Sequence, residues 1–167
     1  MLRLERLELA RPPAAPRWRD DAAYLITGGL GEIGLHVARD LAARGVRRLV
    51  LAGRTPLPPR GEWAATTSET RAGARVAAVR ALEAMGVAVH TATVDVGDEG
   101  ALRAFLERYA AEARPPIRGV FHAAGAFDNH LAASMTRAAF DAVVGPKLGG
   151  AELLDPTYVP TVAGLSP

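Results

Sequence analysis

The chain has 167 residues, is 49% hydrophobic and contains no cysteine, which suits one domain with its own core and excludes disulfide or thiolate chemistry. Its net charge is only +2, and its arginines are spread along the chain without a cluster, so we do not expect it to bind nucleic acid. No apolar run approaches the roughly 20 residues of a membrane span, and the charged N-terminus is unlike a signal peptide, so we expect a cytoplasmic protein.

Strand and helix patterns alternate along the chain after a lead-in over residues 1–20, which ends in a Pro-rich linker. The patterns predict, in order, a strand over 23–27, a helix over 31–44, a strand over 48–52, a Pro-rich loop, a helix over 70–85, a strand over 87–96, a helix from the N-cap Asp98 to about 112, a strand over 117–122 and a helix over 136–154. Such alternation requires parallel strands joined by helical crossovers, and therefore a doubly wound α/β sheet.

A glycine-rich stretch joins the first predicted strand to the first predicted helix. It contains Thr27, Gly28, Gly29, Leu30, Gly31, Glu32, Ile33 and Gly34. The pattern Gly-x-Gly-x-x-Gly after a strand and before a helix is typical of a dinucleotide site, because bare backbone and the helix N-terminus can approach a pyrophosphate. The alternative is an ordinary tight turn, which needs one glycine rather than four.

The second predicted strand ends in Leu-Ala-Gly-Arg, with Arg54 where NAD-binding proteins carry an acidic residue. A cation at this position suits the 2′-phosphate of NADPH. The sequence therefore favours NADPH over NADH, although Arg54 could also be an ordinary surface arginine.

The ends of the third and fourth predicted strands also fit a dinucleotide site. Asp95 and Val96 close the third strand, where a side chain can meet the adenine, and His122 is followed by Ala123, Ala124 and Gly125, whose small side chains leave room for the nicotinamide ribose. Taken singly, Asp95 could cap a turn and His122 could be a core histidine.

These motifs, in this order and spacing, resemble the short-chain dehydrogenase/reductase superfamily. Two longer stretches, IRGVFHAAG over 117–125 and VGPKLGGAEL over 144–153, resemble the ketoreductase domains of modular polyketide synthases and animal-type fatty acid synthases. The resemblance covers roughly residues 16–154. It implies NADPH-dependent reduction of a β-ketoacyl thioester, carried on an acyl carrier protein and made by the other synthase domains, to the β-hydroxyacyl product.

The resemblance also assigns a catalytic role to Lys147. In such ketoreductases a tyrosine protonates the carbonyl oxygen, a serine hydrogen-bonds it, and a lysine in a Pro-Lys motif lowers the pKa of the tyrosine; Pro146 and Lys147 match that motif. Lys147 is also the single lysine beside 19 arginines, and a compact ammonium suits a proton relay better than a guanidinium does. The alternative is a surface lysine on a helix. No metal site is predicted.

Three features depart from the family pattern. Family members that deliver one product configuration carry a Leu-Asp-Asp motif, which corresponds here to Phe127-Asp128-Asn129. Glu32 stands where the family usually has a glycine beside the pyrophosphate. The strand with the serine and the helix with the tyrosine are missing, because Ser166 follows Tyr158 and no Tyr-x-x-x-Lys or Tyr-x-x-x-Asn pair exists.

We therefore expect a Rossmann-like domain over residues 21–155, truncated after its fourth strand and the following helix, with a tail over 156–167. In the order 3-2-1-4 the fourth strand is an open edge, and the face with Phe140, Val143 and Val144 lacks part of its cover, so another segment or chain could complete the sheet. Two other functions stay open: a non-catalytic scaffold domain, and an independent nucleotide-binding module that senses redox state.

Overall fold

The structure, a computed structural model, describes residues 17–126 and 134–155, and in these ranges strands and helices alternate. The elements are β1 (Ala23–Thr27), α1 (Glu32–Ala43), β2 (Arg48–Gly53), a short 3₁₀ helix (Arg60–Ala65), α2 (Arg71–Ala84), β3 (Ala88–Thr93), α3 (Glu99–Ala111), β4 (Ile117–His122) and α4 (Arg137–Leu154). The stretch Phe127-Asp128-Asn129, Tyr158 and Ser166 lie outside the described residues.

The four strands form one parallel sheet in the order β3-β2-β1-β4, which confirms the predicted topology. Thr27, the last residue of β1, is in register with Ala52 near the end of β2 and with His122 at the end of β4. All four strands therefore end at one edge of the sheet, and the loops that follow them converge there.

The hydrophobic core has two layers because side chains along each buried strand point alternately to the two faces of the sheet. Tyr24 and Ile26 face α1 and α2, where they join Leu41 and Val79 in one cluster. Leu25 faces the other layer, whose buried residues Phe105, Leu106 and Leu154 come from α3 and α4. Helices cover both faces, as a doubly wound fold requires.

Side chains cap three of the helices at the positions where the sequence changes from loop to helix. Gly73 N–H donates to Thr70 Oγ1 at 3.0 Å, and Ala101 N–H donates to Asp98 Oδ1 at 3.0 Å. Thr136 caps α4 in the same way, with a 3.1 Å bond from Ala139 N–H. Each bond satisfies a backbone donor that has no partner inside the helix, so these helix starts are fixed by local sequence.

The segment between β2 and α2 is more ordered than the Pro-rich loop that the sequence predicted. It contains the 3₁₀ helix, whose Trp63 is buried and donates from Nε1 to the carbonyl oxygen of Pro58 at 2.7 Å. The Arg60 guanidinium lies 4.6 Å from the Trp63 ring centroid and pairs with Glu83 of α2 at 2.7 Å. The prediction failed here because a single buried tryptophan has no periodicity to detect.

The other differences are at element ends. β3 covers Ala88–Thr93 rather than 87–96, and Val94 and Val96 follow it as buried loop residues. Trp18, in the predicted lead-in, packs edge-on against Tyr24 with ring centroids 5.2 Å apart.

Beside β4, the outer side of α4 carries exposed apolar side chains. Phe140 is 47% and Leu148 59% exposed, while Val143 and Val144 are half-buried. None of the described helices is both long and apolar enough to cross a membrane.

Candidate functional site

The loop after β1 approaches its neighbours so closely that side chains could not fit. Gly28 has φ +65°, and a Cβ there would lie 2.6 Å from the Ala123 carbonyl oxygen. A Cβ on Gly34 would overlap the Gly28 carbonyl oxygen and lie 2.7 Å from Gly29 Cα. An ordinary tight turn needs neither approach, so this packing favours a loop built to present backbone.

The N-terminus of α1 opens directly from this loop. Gly31 is its N-cap, and no side chain in the described ranges caps the first turn, so the first backbone N–H groups can meet an anion. Glu32 and Ile33, in that first turn, are exposed to solvent. The carboxylate of Glu32 thus has room to point away from a bound phosphate.

A cleft of about 210 Å³ lies over the ends of all four strands. Its lining contains nine of the predicted residues: Gly28, Leu30, Gly31, Arg54, Asp95, Val96, Ala123, Ala124 and Gly125. Thr27, Gly29 and Gly34 are buried and do not line the cleft, and neither do Glu32 and Ile33.

The cleft also contains residues that the sequence analysis did not assign to the cofactor site. They are Gly53, Thr55, Arg75, Val94 and Pro146. Arg75 belongs to α2, which begins just after the loop that follows β2. The signal that could have found it is positional, because a crossover helix starts at the same sheet edge where the preceding strand ends.

Asp95 lines the cleft and also stabilises the turn after β3. Gly97 N–H donates to Asp95 Oδ1 at 3.0 Å, and Asp98 N–H donates to the Asp95 carbonyl oxygen at 3.2 Å. The turn-capping role and the position in the cleft are therefore compatible, because one carboxylate oxygen makes the turn bond.

His122 connects three elements at the end of β4. Its Nδ1 lies 2.7 Å from Thr27 Oγ1, and its Nε2 lies 2.9 Å from the Pro146 carbonyl oxygen. A carbonyl oxygen only accepts, so Nε2 carries a proton and donates to Pro146. In the neutral ring Nδ1 then accepts from the Thr27 hydroxyl, which in turn accepts from Ala124 N–H at 3.4 Å. His122 thus ties β1 and β4 to α4.

The close approach of His122 to α4 depends on a glycine in the facing turn. A Cβ on Gly150 would lie 3.0 Å from His122 Cε1 and 3.3 Å from Val96 Cγ2. A side chain on Gly150 would therefore push the ring a few tenths of an ångström away from α4 and strain its bond to Pro146. Both ring nitrogens of His122 have partners, as the alternative of a core histidine predicted. The same two bonds also hold α4 beside the cleft.

Lys147 follows Pro146 on α4 and is exposed. Its side chain passes over Gly125, in the loop after β4, since a Cβ on Gly125 would lie 3.2 Å from Lys147 Cε. The structure thus brings Lys147 next to Gly125, which lines the cleft, although Lys147 itself is not among the lining residues. In the described ranges, no group of three or more His, Asp or Glu residues is placed to hold a metal ion.

A family model, that of the KR domain, matches residues 22–162. The chain belongs to the KR-domain family. The resemblance that the sequence motifs indicated is confirmed, and ketoreductase domains of the short-chain dehydrogenase/reductase superfamily typically depend on NAD(P)H.

Curated relatives of this KR domain are large synthases. A component of the phenolphthiocerol/phthiocerol polyketide synthase of Mycobacterium tuberculosis is 48% identical over 142 residues, which cover 85% of this chain and 8% of that protein. The 6-methylsalicylic acid synthase of Aspergillus terreus is 41% identical over 144 residues, with the same two shares. The chain therefore spans less than a tenth of the length of these relatives.

Solved ketoreductases share the fold of this KR domain. A ketoreductase domain from the bacillaene assembly line is 32% identical, with a TM-score of 0.68 over 83% of this chain and 30% of that one. The first ketoreductase of the tylosin PKS is 34% identical, with a TM-score of 0.63 over 93% and 30%. The four-stranded unit thus corresponds to about a third of each ketoreductase chain.

Proposed function

We propose that this KR chain is the cofactor-binding part of an NADPH-dependent reductase that converts a β-ketoacyl thioester, carried on an acyl carrier protein, to the β-hydroxyacyl thioester. The observation that supports this most strongly is the cleft, because the glycine loop, Arg54 and the Ala123–Gly125 backbone all line it. The polyketide synthase relatives support the choice of substrate class and of the other synthase domains as partners.

The residues of the cleft fit a dinucleotide in order along the sheet. The Gly28–Gly31 backbone and the uncapped start of α1 would hold the pyrophosphate. Arg54, after β2, would bind the 2′-phosphate, and Asp95, after β3, would lie near the adenine. Ala123, Ala124 and Gly125 leave space for the nicotinamide ribose at the end of β4.

Lys147 would supply a positive charge beside the reacting groups. When bound, NADPH supplies the hydride that reduces the ketone. A carbonyl that accepts hydride must also gain a proton, and positioned acid catalysis of this kind contributes about 10²–10⁴-fold. The ammonium of Lys147, held near Gly125 by the turn that His122 fixes, would lower the pKa of a proton-donating hydroxyl.

The second candidate is a scaffold domain that keeps the fold without ketoreduction. It applies if the serine and tyrosine of the family pattern have no counterpart in the protein; within the 167 residues Ser166 follows Tyr158, and no Tyr-x-x-x-Asn or Tyr-x-x-x-Lys pair is present. The close packing of Gly28 and Gly34 favours the reductase, since a scaffold has no need of bare backbone at the cleft.

Calorimetric titration of the chain with NADPH and with NADH tests the cofactor assignment. We expect tighter binding of NADPH, and we expect Arg54→Ala to lose roughly tenfold or more of the preference, because a hydrogen bond to a charged group contributes about 1.5–3 kcal/mol. Arg39→Ala is the matched control, since Arg39 is exposed on α1 and the charge change is equal. Equal affinities of the wild type for both cofactors would refute the assignment.

A further inference from the structure

The cleft contains two cations at the end of β2. Arg54 directly follows the strand and is exposed, while Arg75 reaches the same cleft from α2 and is half-buried. Gly53, Thr55 and Val94 line the cleft with them. Arg54 and Arg75, about 20 positions apart in the chain, thus line the same small cleft.

Neither of these arginines is neutralised by a neighbour among the described residues. Over those ranges, Arg54 and Arg75 take part in no ion pair and no side-chain hydrogen bond. By contrast, Arg44 pairs with Asp40 at 2.6 Å and Arg103 pairs with Glu99 at 2.9 Å. The cleft lining, as far as the structure describes it, has one acidic residue, Asp95, whose Oδ1 accepts the Gly97 N–H bond. Two like charges in one cleft repel each other, and an anion bound between them would offset this repulsion.

The position of Arg75 is fixed by the packing of the first turn of α2. A Cβ on Gly73 would overlap the Thr67 carbonyl oxygen, so the preceding loop lies directly on the helix start. The Thr70 cap and the buried Val76 set the rotation of the helix. Arg75 therefore reaches the cleft from a rigid helix, and its guanidinium loses less freedom on binding an anion than one on a mobile loop would.

A phosphate monoester presents about −1.5 to −2 charges and three oxygens. One guanidinium binds two of these oxygens through its parallel N–H groups, so the third oxygen and the second charge need another donor. We propose that Arg75 is a second 2′-phosphate-binding residue, which together with Arg54 gives this KR domain its preference for NADPH. The proposal rests on the proposed function and adds a specificity-determining residue that the glycine and strand-end motifs do not include.

The test uses the adenosine half of the cofactor, so that it does not depend on turnover. Adenosine 2′,5′-bisphosphate and 5′-AMP are titrated calorimetrically into the wild type, Arg54→Ala, Arg75→Ala and the double variant. Arg75→Ala is expected to weaken binding of the bisphosphate about threefold to tenfold. This loss is smaller than that expected for a fully buried hydrogen bond to a charged group, because the side chain is half-exposed. The affinity for 5′-AMP is expected to stay within about twofold of the wild-type value. Because both arginines contact one phosphate, the losses in the double variant are expected to be non-additive.

Three further variants exclude charge and folding effects. Arg80→Ala removes the same charge from the exposed side of α2, where the guanidinium lies 6.0 Å from the Trp63 ring centroid, and is expected to leave the ratio of the two affinities unchanged. Arg75→Gln keeps the aliphatic stem, so a folding defect of the alanine variant does not obscure the result. Arg75→Lys keeps a point charge without the fork and is expected to restore part of the loss.

The possible outcomes separate this proposal from the proposed function. If Arg75→Ala and Arg75→Gln match Arg80→Ala while Arg54→Ala still loses the preference, Arg75 has no role at the phosphate and the proposed function stands. If Arg75→Ala weakens both ligands equally, its effect is on the cleft as a whole, and the proposal is wrong. If the wild type binds the bisphosphate no better than 5′-AMP, the NADPH assignment and the proposal fail together.

Discussion

Replacing Gly34 by alanine sets two opposed effects against each other in one helix. Intrinsic helix propensity favours alanine over glycine by about 1 kcal/mol, so a glycine inside α1 with free space around it should gain stability on substitution. In the structure, however, the new Cβ would overlap the Gly28 carbonyl oxygen and lie 2.7 Å from Gly29 Cα. These are backbone atoms, which cannot rotate away as a flexible side chain could.

The clash is expected to exceed the gain in propensity. Overpacking by a methyl group costs about 1–3 kcal/mol, and the upper half of that range applies here because the loop is held by its own close contacts. A net loss of about 1–2 kcal/mol lowers Tm by about 2–8 °C in a domain of this size. Cofactor binding should weaken at the same time, because α1 must move away from the loop that would hold the pyrophosphate.

Thermal melting followed by circular dichroism, with and without NADPH, measures both effects. Gly149→Ala is the matched control: it makes the same change inside α4, where no atom among the described residues lies within 4 Å of the new Cβ, and its Tm is expected to rise or stay constant. If Gly34→Ala melts as high as Gly149→Ala and binds NADPH as the wild type does, the loop does not approach the helix as argued.

Three other predictions concern the histidines and the lysine. His122→Ala removes hydrogen bonds to two partners and is expected to lower the free energy of urea unfolding by about 1–3 kcal/mol. The control His36→Ala, at an exposed position of α1, should lower it by less than about 0.5 kcal/mol. Equal losses of stability would contradict the bridging role of His122. Burial, followed by the charge of a nearby arginine, lowers the pKa of His90, so the stability that His90 contributes is fully present above its unfolded pKa of about 6.5 and is lost as the pH falls below that value and through the lower pKa of the folded state. The fall in Tm from about pH 7 to about pH 5 should therefore be smaller in His90→Gln, and an unchanged fall would refute this. In a ketoreductase that contains these residues together with the serine and tyrosine of the family, Lys147→Met should lower kcat about 10²–10⁴-fold. The 167-residue polypeptide alone should show no NADPH oxidation with a β-ketoacyl thioester. Turnover by this polypeptide would show that another group donates the proton.

The local sequence determined the elements and their order. The apolar runs that predicted β1 and β4 have the bounds of the structure, and the N-cap residues Asp98 and Thr136 mark helix starts that the periodicity also indicated. Because parallel strands run in the same direction, all of them end at one edge of the sheet, and the order 3-2-1-4, which the family resemblance implied, is the order in the structure. The nine predicted residues in the cleft lie together for that reason.

Only the tertiary structure decided which other side chains reach that edge. The rotation of α2 that turns Arg75 toward the cleft depends on how Gly73 packs under the preceding loop. The bond from His122 to the Pro146 carbonyl oxygen joins residues 24 positions apart, and it exists because Gly150 lets the ring approach α4. The position of Arg75 and the His122 bond would both change if the packed elements shifted by a few tenths of an ångström. Sequence periodicity fixes only the face of an element on which a residue lies.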